Sequence, residues 1–206
     1  MTGRLLILHL RARRAPAAGA GLAVIALFAW QAGDAMMDRP HFSSEQARIP
    51  VAALATLLAA GVLAQTLGGA DEWLERSTPR PTWRWRAVHL SVLSLAGGLA
   101  LGITGLRQPD QFGAYNLVRG LVGLLALTAI AAAAVGVQPS WIPVLAYAGT
   151  VYLAAPRHPG GPAAVWAWPM QPWNVPTAAI TAALLSLLAI TLHAAVGVRP
   201  SSDETA

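Results

Sequence analysis

"AVHLSVLSLAGGLALGITGL", residues 87–106, runs for twenty residues without a charge. Its apolar positions do not alternate, so it does not read as a strand with one wet face. A helix of about that length spans the roughly 30 Å of a bilayer core. Within it Ser91, Ser94, Gly98, Gly102 and Gly105 recur at spacings of three, four, four and three. That places them on one stripe of a helix, where small residues let two backbones approach closely. The stripe fits packing inside the chain or a seam with a second copy, and Gly113, Gly120 and Gly123 carry the pattern into the next segment.

The sixteen residues just before, "DEWLERSTPRPTWRWR" (71–86), hold three of the nine acids and four of the fourteen arginines. Asp71, Glu72 and Glu75 come first, where acids favour a helix N-terminus, and Pro79 and Pro81 stop the turn. The expectation is a helix of about two turns with Trp73 and Leu74 as apolar anchors. Arg80, Trp83, Arg84, Trp85 and Arg86 then mix cation and indole, the composition of a membrane surface. Lipid anchoring accounts for this basic half. The acidic half does nothing for adhesion to a membrane, and a positively lined groove on a cytosolic partner would match it.

Five further apolar runs lie at residues 16–33, 49–69, 117–137, 140–155 and 175–198. Long Ala/Leu runs can satisfy their backbone in lipid as helices, so the fold class is an all-α integral membrane protein of six spans. One transmembrane domain then covers residues 1–206. The 140–155 run is short, rising about 24 Å, and contains Pro143; it fits a tilted helix or half of a re-entrant element. Composition agrees, with 55% hydrophobic and 11% charged residues and a mean hydropathy of +0.52.

Orientation follows from arginine. With six spans, Arg4, Arg11, Arg13, Arg14, Arg76, Arg80, Arg84, Arg86 and Arg199 share one side, against Arg39, Arg48, Arg107, Arg119 and Arg157. The positive-inside rule places the first group, and both termini, in the cytoplasm of a plasma-membrane protein. All eight tryptophans, Trp30, Trp73, Trp83, Trp85, Trp141, Trp166, Trp168 and Trp173, fall at or beyond expected span ends. Residues 1–15, with Arg11, Arg13 and Arg14 behind a leucine cluster, read as an interfacial helix or as a topology-setting basic tail. Residues 199–206 form a short cytoplasmic tail. A cleavable signal peptide fits the first run less well, because that run exceeds a usual h-region.

Chemistry is limited by what is missing. No Asp or Glu falls inside an expected span, and His89 and His193 have no acid at helical spacing. Proton relays, ion-coupled transport and intramembrane catalysis need such groups. All basic residues are Arg, so no Walker A lysine can reach a nucleotide's phosphates, and the absence of Cys excludes disulfides and thiolate metal sites. No metal site is expected, and the modest charge of +5 argues for no nucleic-acid partner. The loop "PRHPGGPAAVWAWPMQPWNVP", 156–176, carries six prolines and three tryptophans. It reads as a broken hairpin in the outer headgroup layer or as a lid, with Trp166, Trp168, Pro169 and Trp173 as candidate outer-gate residues.

This layout resembles the permease subunit of ATP-binding-cassette exporters in which six-span subunits pair above separate ATPase chains. "DEWLERSTPRP" is similar to their acidic coupling helix, and "WAWPMQP" resembles an element before the last span in small actinobacterial permeases. The resemblance covers nearly the whole chain, with short outer loops and a short fifth span as departures. It implies that Asp71, Glu72, Trp73, Leu74 and Glu75 dock into a cytosolic ATP-binding-cassette ATPase, and that residues 5–14 form a connecting helix. It also implies a second six-span subunit, identical or different, beside the lipid bilayer. No cofactor would be bound by this chain, since ATP and Mg belong to the ATPase. The expected function is ATP-driven export of an amphipathic drug, lipid or peptide, without an ATPase site of its own; the competing expectation is a membrane scaffold or accessory subunit that recruits a partner.

Overall fold

The computed structural model of the protein describes residues 11, 13–37, 49–68, 82–106, 113–156 and 158–199. Secondary structure among them is helical throughout: α1 (Ala15–Met37), α2 (Ile49–Ala64), α3 (Thr82–Gly105), α4 (Ala114–Val135), α5 (Trp141–Ala154), a four-residue α6 (Ala163–Trp166), a 3-10 turn (Trp168–Met170) and α7 (Pro176–Val196). Each apolar run of the sequence is occupied by one of the six longer helices. α1, α3, α4 and α7 are long and apolar enough to cross a membrane, whereas α2 and α5 are shorter apolar helices. At 16 and 14 residues they rise about 24 and 21 Å.

Proline and glycine set the helix limits. Pro16, Pro50, Pro143 and Pro176 all sit within the first three residues of their helices, where the missing N–H has no partner to lose. Gly136 and Gly197 follow α4 and α7 at φ of 90° and 75°, and their N–H groups donate to the Ala132 and His193 carbonyls. α3 begins five residues ahead of the uncharged run, directly after Pro81, so Trp83, Arg84, Trp85 and Arg86 belong to its first turns.

α4 is the centre of the bundle. In it 56% of the apolar span is buried, against 28% or less in α1, α3 and α7. It packs against α2, α3, α5 and α7. Small residues make those approaches. A Cβ on Gly120 would meet Thr56 of α2 at 3.1 Å, and one on Gly102 would meet Val118 of α4 at 3.0 Å. Gly98 faces the same valine at 3.5 Å, and Gly105 lies against the Ala114 backbone. Ser94 turns its hydroxyl to the Leu90 carbonyl at 2.9 Å. The tightest position on α3 next to Gly105 is Gly97, outside the stripe read from spacing: a Cβ there would come within 2.6 Å of Leu121 and 2.7 Å of Leu63.

The outward faces are apolar. On α3 the stripe Trp85, Val88, Val92, Leu95 and Leu99 is exposed, as are Val24, Leu27 and Phe28 on α1 and Ile180, Leu184 and Leu188 on α7. An apolar surface of this extent needs hydrocarbon around it. With four helices long and apolar enough to cross a bilayer, this surface is consistent with a membrane protein.

Packing at α3–α4 gives a direct test. Gly97→Ala places a methyl where two leucines already stand, an overpacking cost of about 1–3 kcal/mol. Gly61→Ala, with nothing within 4 Å of its Cβ position, should be neutral or stabilising. Thermal unfolding in detergent should therefore lower the midpoint for the first variant and not for the second.

Candidate functional site

The element between α5 and α7 is short-ranged because its prolines forbid a continuous helix. Gly160 and Gly161, at φ of 91° and 61°, reverse the chain after α5, and Pro169 opens the 3-10 turn. Ala163, Ala164 and Ala167 are buried, and small side chains there let the backbone enter the bundle. Trp168 enters furthest. Its indole is 1% exposed and lies on Gly123, where any Cβ would overlap the ring. Gly123 is nine residues into α4, about 13 Å below that helix's start. Sequence placed all tryptophans at an interface. Trp166 and Trp173 are exposed at 40% and 57%, Pro169 is half-buried, and Trp168 is instead core.

Three polar side chains hold this plug. Gln171, itself buried, accepts the Gly160 N–H at 2.8 Å, tying the two ends of the loop together. Tyr147 of α5 donates its hydroxyl to the Trp166 carbonyl at 2.7 Å. Arg119, in the second turn of α4 and 5% exposed, donates Nη1 to the Pro172 carbonyl at 3.3 Å and Nη2 to the Gln171 carbonyl. Its guanidinium also stands 5.7 Å from the Tyr115 ring. A cation buried in an apolar bundle needs fixed oxygens, and the plug supplies them. Sequence reading counted Arg119 as one more outer arginine; its position within an apolar run was the signal that it must find partners inside.

The opposite end of the bundle is rich in arginine. Arg199 donates Nη1 to the Ala134 carbonyl at 3.0 Å at the end of α4. Arg86 lies over Gly197 at the end of α7, so that a Cβ there would come within 2.7 Å of its guanidinium. Arg13, 6% exposed, donates Nη1 to the Leu67 carbonyl at 3.4 Å, beyond the end of α2. Guanidinium groups thus meet three helix C-termini, where carbonyls lack partners and the dipole is negative. Arg14, in a left-handed turn at φ 54°, makes the bend before α1. Arg11, Arg14, Trp83, Arg84 and Trp85 are exposed, with Arg84 stacked 5.1 Å over Trp83.

Two histidines join this end. His89 Nε2 lies 3.1 Å from both the hydroxyl and the carbonyl of Thr66. Because that hydroxyl already donates to Leu63 at 2.8 Å, Nε2 carries the proton. His193 of α7 is 1% exposed, and neither ring nitrogen has a hydrogen-bond partner among the described residues. Asp71, Glu72, Trp73, Leu74, Glu75 and Arg80 lie outside the described residues. Among the described residues no group of His, Asp or Glu could hold a metal ion.

Releasing the plug should be measurable. The chain has no native cysteine, so Ala167→Cys, at a position 0% exposed, reports on the plug alone. It should resist an aqueous maleimide in the otherwise native chain. With Arg119→Leu added, which removes charged hydrogen bonds of about 1.5–3 kcal/mol each, labelling should become rapid; unchanged protection would contradict the role given to Arg119. Comparison of the chain with family models, with curated proteins and with solved structures finds no match.

Proposed function

We propose that the chain is the membrane subunit of an ATP-driven exporter, crossing six times with both termini in the cytoplasm. A second six-span subunit would complete the path, and a separate ATP-binding-cassette ATPase would supply the energy. The observation that carries this reading is the polarity of the bundle: a Pro-rich plug packed into one end directly before α7, and arginines gathered at the other. The short α2 and α5 would cross by local thinning of the bilayer around them.

Coupling can be traced along the chain. Asp71, Glu72, Trp73, Leu74 and Glu75 would enter the ATPase groove, and α3 begins a few residues later. α3 bears on α4 through Gly97, Gly98, Gly102 and Gly105. α4 in turn holds the plug through Arg119 and Gly123. A shift of the acidic segment would therefore reach the outer end through two packed helices, with Trp166, Trp168, Pro169 and Trp173 forming the gate. The apolar interior favours an amphipathic drug, lipid or peptide as cargo.

Isolation from native membranes in mild detergent should recover an ATP-binding chain. Glu72→Lys with Glu75→Lys should reduce that recovery by about tenfold or more, with insertion unchanged. Recovery of this chain with no ATPase attached would contradict the exporter and leave an accessory subunit.

A further inference from the structure

We propose that the plug occupies the binding site for an anionic aromatic amphiphile, a molecule whose carboxylate takes the Arg119 fork and whose ring takes the Trp168 seat. Both halves of that site lie on α4. Arg119 and Gly123 are four residues apart, one turn of helix and about 6 Å along its axis, so they share a face. At the first position the guanidinium, 5% exposed, gives Nη1 and Nη2 to the Pro172 and Gln171 carbonyls, while Nε, also buried, has no partner among the described residues. At the second the Trp168 indole lies where any Cβ would overlap it. Two separate main-chain carbonyls are an incomplete match for a planar cation with five donors. A carboxylate brings two acceptors in the geometry of the fork and a charge that carbonyls lack.

The site requires no empty cavity, because the occupant to be displaced is the plug. That element can leave as a unit. Its contact between Gln171 and the Gly160 N–H is internal and keeps its two ends together whether or not it is seated. Gly160 and Gly161, both at positive φ, stand where it joins α5, and its regular structure is one four-residue helix and one 3-10 turn. Tyr147 and Arg119 bond it to the bundle, and the second contact is the one an anion competes for. The inference names a cargo class for the exporter and rests on the gate given in that reading, but the binding itself involves no ATPase. An anion-binding chain without an ATPase would leave this site standing, and an ATPase beside a chain indifferent to anions would leave the exporter standing.

The test uses two probes that differ in charge, indole-3-butyrate and indole-3-butyramide, titrated in neutral buffer onto the intact protein in lipid nanodiscs. The native chain should bind the acid about tenfold more tightly than the amide. Arg119→Gln should remove that preference, whereas Arg84→Gln, which deletes an exposed arginine, should keep it. A second readout follows the plug: in Ala167→Cys, the acid should speed maleimide labelling and the amide should not. Both readouts on chains that retain Arg119 decide the matter even where Arg119→Gln does not fold. Equal binding of the two probes, as expected if Asp110 already neutralises Arg119, overturns the proposal. So does a preference that survives Arg119→Gln, or acid bound while the introduced cysteine stays protected.

Discussion

A guanidinium inside an apolar bundle has to be given oxygen by the protein itself, and the clamp of Arg119 on the Gln171 and Pro172 carbonyls is where this constraint shapes the molecule. The clamp sets how deep the Pro-rich element sits. Depth in turn decides that the residue opposite Trp168 is Gly123, and that α4, bearing both Arg119 and Gly123, occupies the centre. α2 and α3 can then close around α4 because Gly120, Gly102, Gly98 and Gly97 leave room for the approach.

The two ends use the same cation for different ends of the same problem. At the plug, one arginine gathers carbonyls that irregular backbone leaves open. At the other end Arg13, Arg86 and Arg199 each meet the carbonyls or the dipole at the close of a helix. Arg199 does this from an exposed position, Arg86 from a half-buried one and Arg13 from a buried one. His193, buried at the same end, has no hydrogen-bond partner for either ring nitrogen among the described residues.

Much of the architecture was legible in sequence, because twenty uncharged residues in lipid have few alternatives to a helix. The Ser94, Gly98, Gly102 and Gly105 stripe was legible by spacing, although spacing alone did not say which helix it meets. Gly97 was not, since its constraint comes from Leu63 and Leu121 on two other helices. Arg119 was missed for a related reason: its partners are main-chain carbonyls 52 and 53 residues away, and every residue owns a carbonyl. Trp168 shows the limit of a rule about residue type. Tryptophan prefers an interface until a glycine at the right depth offers its ring a closer fit.

The proposed coupling requires the Arg-rich end to face the cytoplasm and the plug to face outward. Single-cysteine mapping in intact cells addresses this directly, with Thr78→Cys in the charged connection and His158→Cys beside the plug. A membrane-impermeant maleimide should label His158→Cys in intact cells and Thr78→Cys after permeabilisation alone. The reverse pattern, or both positions on one side, would contradict the account.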